Sequence, residues 1–412
     1  MEKLIGNAVV GQSGGPTAAI NATLSGVVRG AQAHSDCIQT IYGMRNGIEG
    51  LMDRRLINLS ERLASEEDKK LLEQTPAAAL GSCRKKLPDP DSQKEEDVRF
   101  YETLFAILGE YNIRYFFYIG GNDSMDTVLK MSRYAQKCGY EIRIIGVPKT
   151  IDNDLPSTDH TPGFGSAAKY IATTVREIIR DCAVYTTKAV TIVEIMGRDA
   201  GWLTASSALG RLIDGQEPDL VYLPERVFDM EQFFSRIEER FAIHPNVVVA
   251  VSEGLRFADG RFVGEGQQSG SKDAFGHKYL AGTGKALELA VKGRFGCKVR
   301  SVELNLPQRC AGHLLSLTDI SESIKIGRGA VDCAVAGECG KVMTFVRNGN
   351  YSCDIQSADV SKIANQTKYV PDEFIVESAD HVTDACCEYL LPLIAGECDV
   401  LYNNGLPAHI IF

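Results

Sequence analysis

Ile142-Arg143-Ile144-Ile145-Gly146-Val147-Pro148-Lys149-Thr150-Ile151-Asp152-Asn153-Asp154 is the stretch whose reading decides the fold. Ile142 to Val147 is an apolar run interrupted only by Arg143, and it reads as a buried strand. Pro148 cannot donate to a sheet ladder, so the strand stops there. A cation, a hydroxyl and two carboxylates follow at once. In open parallel sheets the carboxyl edge of the strands is where ligands bind. Asp and Asn also close turns by bonding their own backbone, so the stretch alone fits an Asx-rich turn equally well. Its neighbours decide between the two.

Upstream, Tyr115-Phe116-Phe117-Tyr118-Ile119 reads as a second buried strand running into Gly120-Gly121-Asn122-Asp123-Ser124. A helix follows, with Met125, Val128, Leu129 and Ala135 on one face and Gly139 closing it. Further back, Val9-Val10 ends a strand before Gly11-Gln12-Ser13-Gly14-Gly15-Pro16-Thr17 and a helical pattern from Ala18 to about Gly30. Strand, glycine-rich turn and helix form a phosphate-cradle layout, because glycines let backbone N–H groups approach an anion at a helix N-terminus. The turn matches neither a Walker A loop nor GxGxxG. Ile38 to Tyr42 reads as a short strand, and Leu80-Gly81-Ser82-Cys83-Arg84-Lys85-Lys86 as a loop in a polar region with helical stretches.

Downstream, a loop from Leu155 to Gly165 precedes a helix with Ala168, Ile171, Ala172, Val175, Ile178 and Ile179 at helical spacing. Val190 to Ile195 runs into Met196-Gly197-Arg198, and Val247 to Val251 into Ser252-Glu253-Gly254, with Leu220 to Leu223 a short strand between them. About 260 to 285 reads as an exposed Gly-, Ser- and Lys-rich loop, and Leu304-Asn305-Leu306-Pro307-Gln308-Arg309 follows another strand. The last hundred residues hold a helix (Ile320 to Ala336), a hairpin around Asn348-Gly349-Asn350 and a terminal helix (Thr383 to Ala395). Alternating strands and helices imply a doubly wound α/β architecture. Polar clusters recur at strand ends too often for turn chemistry alone.

At 412 residues with 44% apolar content the chain suffices for two or three domains. Lys plus Arg number 44 against 54 Asp plus Glu, a net charge of −10, which argues against nucleic acid as a partner. Cations for a phosphate ligand must therefore be local. MEKLIGNAVV lacks the layout of a signal peptide, and no apolar run is long enough to span a membrane. Twelve scattered cysteines without a CxxC pair suit a reduced, cytoplasmic chain. Seven histidines without an HExxH pattern do not indicate zinc.

Carboxylates, a hydroxyl and cations around a glycine cradle suit phosphoryl transfer, which needs positioning, charge neutralisation and a base for the acceptor's proton. Gly120 to Ser124, Pro148 to Asp154 and Glu194-Ile195-Met196-Gly197-Arg198 together resemble the signature set of the phosphofructokinase family, in order and spacing. The resemblance implies two Rossmann-like three-layer α/β/α lobes. It implies a donor-binding lobe over 1–155, a sugar-phosphate lobe over 156–310, and residues 311–412 returning to pack on the first lobe. It implies fructose 6-phosphate as acceptor and Asp152 as the proton acceptor, with Asp154 a supporting carboxylate. Thr150, Ile151, Asp152, Met196, Gly197, Arg198, Glu253 and Arg309 match sugar-phosphate contacts. Gly11 matches a donor-phosphate contact, and Arg84 or Lys85 a cation on the donor.

ATP-using members resemble GGDGS and PGTIDND at two of these sites; here Asp123 and Lys149 stand where those carry glycine. A carboxylate at 123 repels the α-phosphate of a nucleotide: two like charges about 4 Å apart at an effective dielectric near 20 cost roughly 4 kcal/mol. Lys149 neutralises charge on pyrophosphate. Both resemble the pyrophosphate-dependent branch, with Mg²⁺ as cofactor and a homo-oligomer (dimer or tetramer). Asn122 stands where the family usually has a Mg²⁺-linked Asp, so a metal contact falls to its carbonyl oxygen, with Asp123 able to share it. Leu306, where relatives often carry Tyr, removes one sugar contact. Ala189 falls where ATP-using relatives place an arginine from a neighbouring subunit, with Lys188 beside it. An ATP-dependent enzyme and a non-catalytic regulatory subunit are the rival readings, and sedoheptulose 7-phosphate is a rival acceptor.

Overall fold

The strands of the two large sheets are β1 (Gly6–Gln12), β2 (Ile38–Met44), β3 (Leu56–Asn58), β4 (Ile113–Gly120), β5 (Arg143–Pro148), β6 (Ala189–Ile195), β7 (Leu220–Tyr222), β8 (Asn246–Ser252), β9 (Lys298–Glu303), β10 (Lys341–Asn348) and β11 (Ser352–Asp359). The computed structural model describes residues 3–265 and 282–412. The expected loop at about 260 to 285 falls mainly on residues 266–281, outside the described residues.

The first sheet runs β11-β10-β5-β4-β1-β2-β3, parallel at its centre, with β3 and β11 antiparallel to their neighbours at the edges. The second runs β7-β8-β6-β9 and is parallel throughout. The continuous apolar runs are explained by burial on both faces. Along β4, Tyr115, Phe117 and Ile119 enter one core while Phe116 and Tyr118 enter the other, because successive strand side chains point to opposite faces. Helices Ile20–Ala33 and Leu317–Val335 cover the first face; Glu95–Glu110 and Asn122–Cys138 cover the second. The second sheet is covered likewise, by Phe164–Cys182 on one face and by Met230–Phe241 and Thr283–Phe295 on the other. Each lobe is thus a three-layer α/β/α unit.

The C-terminal hundred residues belong to both lobes. β10 pairs in parallel with β5, and helix Leu317–Val335 lies against Ile20–Ala33 at very close approach. A Cβ on Gly26 would stand 2.2 Å from the Ile324 carbonyl oxygen, and one on Gly327 2.3 Å from that of Thr23. Farther on, Val370, Ile375, Val382, Cys386, Leu390 and Leu393 join a core of the second lobe. The expected terminal helix is shorter than its apolar pattern: it covers Asp384–Leu390 and passes into a 3₁₀ turn at Leu391–Ile394, where Pro392 lacks the N–H to continue it. None of the twelve cysteines is disulfide-bonded. Among the described residues no helix is long and apolar enough to cross a membrane.

Candidate active site

β1 connects to β2 on one side, while β4 lies on its other side, so the strand order reverses at β1. A crevice opens at the carboxyl edge of such a switch point. The loops after β1, β4 and β5 meet there the loops after β6, β8 and β9 of the second lobe. Together they enclose a cavity of about 490 Å³. Four cationic side chains (Arg84, Lys149, Arg198 and Arg309) and five carboxylates (Asp123, Asp152, Asp154, Asp199 and Glu253) line it. The cations are thus gathered locally, among nearly equal numbers of carboxylates.

The loop after β5 sets the chemistry. Pro148 pairs in register with Gly120, and the Lys149 N–H donates to the Gly120 carbonyl at 2.9 Å, so the ladder ends here. The Lys149 side chain is only 3% exposed, and its ammonium donates to the Gly15 carbonyl of the glycine cradle. Burial pushes its pKa down to about 8; Asp152 opposes that shift and Arg309 adds to it. Thr150 caps the turn: its hydroxyl accepts from the Asp152 N–H at 3.0 Å. Asn153 is fully buried with φ of 53°, a left-handed conformation that Asn tolerates better than most residues. That turn sends Asp152 and Asp154 into the cavity while Ile151 packs into the core below. Burial raises both carboxyls, Asp154 to about 7, with the neighbouring Asp152 charge adding to the rise. Lys149, Thr150 and Arg198 hold Asp152 back from a larger shift.

The second lobe contributes through a tight turn at a glycine. Gly197 has φ of 132°, and a Cβ there would lie 2.6 Å from the Ala200 carbonyl. Its N–H donates to Glu253 Oε1 at 3.3 Å, and Met196 N–H donates to Gln308 Oε1 at 3.3 Å. Burial raises Glu253 to about 8, against that hydrogen bond, so it carries a proton at neutral pH. Burial pushes Arg309 down, as does the like charge of Arg84.

The structure brings Arg84, Asn122, Asp123, Lys149, Thr150, Ile151, Asp152, Asp154, Met196, Arg198, Glu253 and Arg309 to this one cavity. Four other sequence candidates stand apart from the lining. Gly11 lies within β1, paired with Met44 and Tyr118, and a Cβ there would meet Met44 at 2.5 Å; Gly14 and Gly15 line the cavity instead. Lys85 turns away, its ammonium 5.0 Å from the centre of the Phe100 ring, leaving Arg84 as the lining cation of that loop. Gly197 acts through its backbone on Glu253. Leu306 is 52% exposed and outside the lining.

Asp123 has a partner the sequence did not suggest: Lys86 Nζ stands 3.7 Å from its Oδ1. Such an exposed pair is weak, yet it offsets part of the Asp123 charge, so repulsion of a nucleotide is shared with the space the side chain fills. Asn122 opens helix Asn122–Cys138. Its Nδ2 donates to the Gln366 carbonyl at 2.6 Å, while its Oδ1 is buried without a hydrogen-bond partner. The sequence reading missed Asn365, Thr367 and Asp199 as lining residues, and Lys368 beneath them. Asp199 directly follows the Met-Gly-Arg motif, a proximity that was available as a signal. The others sit in a polar loop with no pattern of their own.

The sequence matches the phosphofructokinase family model over residues 7–333. The pyrophosphate–fructose 6-phosphate 1-phosphotransferase of Halomonas elongata is 41% identical over 405 residues, covering 97% of this chain and 94% of that protein. The solved pyrophosphate-dependent phosphofructokinase of Nitrosospira multiformis superposes with a TM-score of 0.88 at 37% identity, over 98% of this chain and 96% of that one. That of Marinobacter aquaeolei gives 0.86 at 38% identity, over 98% and 95%. The chain belongs to the phosphofructokinase family. Within it, these three relatives are named for pyrophosphate, and the sulfofructose kinase of Alkalicoccus urumqiensis is 31% identical over 372 residues, covering 89% of this chain and 91% of that protein.

Proposed function

We propose that this protein transfers a phosphoryl group from pyrophosphate to the 1-hydroxyl of fructose 6-phosphate, giving fructose 1,6-bisphosphate and phosphate. The observation that carries this reading is the gathering of Lys149, Asp123 and Asp152 at one cavity in a chain similar, end to end, to enzymes named for this reaction. In the step, the sugar's O1 attacks one phosphorus as the bond to the bridging oxygen breaks. The bridging oxygen leaves with the second phosphate, and the O1 proton passes to Asp152. Burial makes Asp152 a stronger base than an exposed carboxylate.

Residues 1–155 supply the donor side in this reading: the Gly14-Gly15 backbone, Arg84, and the Lys149 ammonium set where charge develops on the leaving phosphate. Residues 156–310 supply the acceptor side, where Arg198 and Arg309 offer forked guanidinium groups to the 6-phosphate. The protonated Glu253 faces a sugar hydroxyl without adding negative charge. Residues 311–412 brace both sides. The unpartnered Asn122 Oδ1 fits an oxygen-seeking ion, so Asn122 would hold Mg²⁺, with Asp123 within reach of the same region. Such an ion neutralises phosphate charge when bound.

Phosphorus NMR on purified protein with Mg²⁺, pyrophosphate and fructose 6-phosphate tests the reading. The expected outcome is loss of the pyrophosphate signal with equal gains of phosphate and sugar 1-phosphate signals, reversible from the product side. Turnover with ATP alone contradicts the donor assignment. Sugar-phosphate binding without turnover by either donor contradicts catalysis.

A further inference from the structure

Lys368 belongs to no motif, yet it reaches under the loop that carries the chemistry. Its ammonium donates to Asp159 O at 2.7 Å, Thr158 O at 3.2 Å and Asn153 Oδ1 at 3.3 Å. An ammonium has three donors, and all three are used. The same group lies 5.2 Å from the centre of the Trp202 ring, and the Trp202 indole N–H donates back to the Lys368 carbonyl at 3.2 Å. The Lys368 backbone N–H donates to the Asp154 carbonyl at 2.7 Å. One residue therefore grips the loop twice, at Asn153 by its side chain and at Asp154 by its backbone. Across the cavity, the Gln366 carbonyl two residues earlier accepts from Asn122 Nδ2 at 2.6 Å, and Asn365 and Thr367 line the wall between.

The grip falls where the loop stores strain. Asn153 is the left-handed residue between the two carboxylates, and it is buried. Asn bears this conformation at less cost than most residues, and its surroundings still have to hold it there. The Oδ1 accepts from Lys368, and Tyr389 is a second polar neighbour of this side chain. Without the Lys368 contact, the turn can relax toward an ordinary conformation, and Asp152 then swings relative to the cavity.

We propose that Lys368 is a positioning residue for phosphoryl transfer, holding Asn153 in its left-handed turn so that Asp152 and Asp154 present their carboxylates to the cavity. It rests on the phosphoryl-transfer reading given above, and it acts through the loop rather than on substrate.

Lys368→Met keeps the stem and removes the donors. A displaced reacting group costs about 100-fold, so kcat is expected to fall by about that factor. KM for both substrates should stay within about threefold, since the loss is in the transition state. Backbone amides of 151–155 should exchange faster with solvent. In Lys368→Ala, added ethylammonium should restore part of the turnover, a rescue that a merely structural role would not give. Asn153→Ala should reproduce the kcat loss, and the double variant should lose less than the product of the two singles. Unchanged kcat in folded Lys368→Met overturns the proposal, as does a loss confined to KM. If Lys368→Met does not fold, Asn153→Ala decides, and full turnover in it overturns the proposal. If the wild type shows no turnover, the reaction assignment falls by itself. Hydrogen exchange then decides the positioning role, with unchanged exchange at 151–155 overturning it.

Discussion

Replacing Lys149 by Met removes one positive charge from the donor side of the cavity while keeping an unbranched stem. A unit charge about 4 Å from a phosphate charge, at an effective dielectric near 20, is worth about 4 kcal/mol, or close to a thousandfold. Arg84 and Arg309 border the same cavity, and their like charges are among the causes that depress Lys149. They take over part of its work, so the expected loss of kcat/KM for pyrophosphate is about 100-fold, roughly 2.7 kcal/mol. The pH profile adds a sharper test. Lys149 is cationic below about 8 and neutral above it, and Glu253 is protonated below about 8 and anionic above it. Each loss of a proton makes the cavity less welcoming to an anion. Wild-type kcat/KM should therefore fall through pH 8 with a limiting slope approaching two decades per pH unit, and Lys149→Met with a slope of one. A coupled assay for fructose 1,6-bisphosphate between pH 6.5 and 9.5 gives both quantities. A variant within threefold of wild type would refute the assignment of Lys149 to the donor, and a limb of unchanged slope would refute its lowered pKa.

Asp152→Ala should lower kcat by about 10²–10⁴ with KM for fructose 6-phosphate changed only a few-fold, measured by steady-state kinetics; lost affinity with intact kcat would remove its role as base. Asp123→Gly combined with Lys149→Gly should improve ATP binding in titration calorimetry, and unchanged exclusion of the nucleotide would defeat the space-and-charge argument. The folded Asp154 carboxyl titrates at about 7, against about 3.9 when unfolded, so the folded state holds the extra proton between those values. Stability therefore falls as pH rises through that window, and the whole cost is present above pH 7. Asp154→Asn should remove it, gaining on the order of 2–4 kcal/mol over wild type at pH 8 and much less at pH 4.5 in urea melts; a gain independent of pH would count against the raised carboxyl. Gly26→Ala puts a methyl 2.2 Å from the Ile324 carbonyl and should cost about 2–3 kcal/mol in the same melts, whereas a neutral result would mean that the helix pair is looser than drawn.

The fold was legible where one signal agreed with the next. Tyr115 to Ile119 is apolar, followed by two glycines, and the strand ends at the first of them, Gly120. The helix after it closes at Gly139, with φ of 69°, because a residue without Cβ reaches that conformation most cheaply. Pro392 was a legible breaker that the apolar pattern around it outweighed, so the last helix was drawn too long. In the cavity, residues directly after strands β5, β6 and β8 were readable because the end of a parallel strand fixes where the next few residues go. Gly11 was misplaced by a few positions, since glycines within a strand and glycines in the following cradle look alike in sequence. Lys85 and Lys86 carry the same charge as Arg84 on paper, and the packing of Phe100 and the reach of Asp123 set them apart in the structure. Asn365, Thr367 and Lys368 were invisible because they arrive by topology, about 210 residues after the loop they touch.

The account depends on the cavity selecting a bare diphosphate over a nucleotide. The most direct measurement is the ratio of kcat/KM for pyrophosphate to that for ATP, on one preparation, with saturating fructose 6-phosphate and Mg²⁺. The expected ratio is about a hundred or more, since the thousandfold worth of a bare like-charge contact at Asp123 is partly offset by Lys86. A ratio near or below one would contradict it.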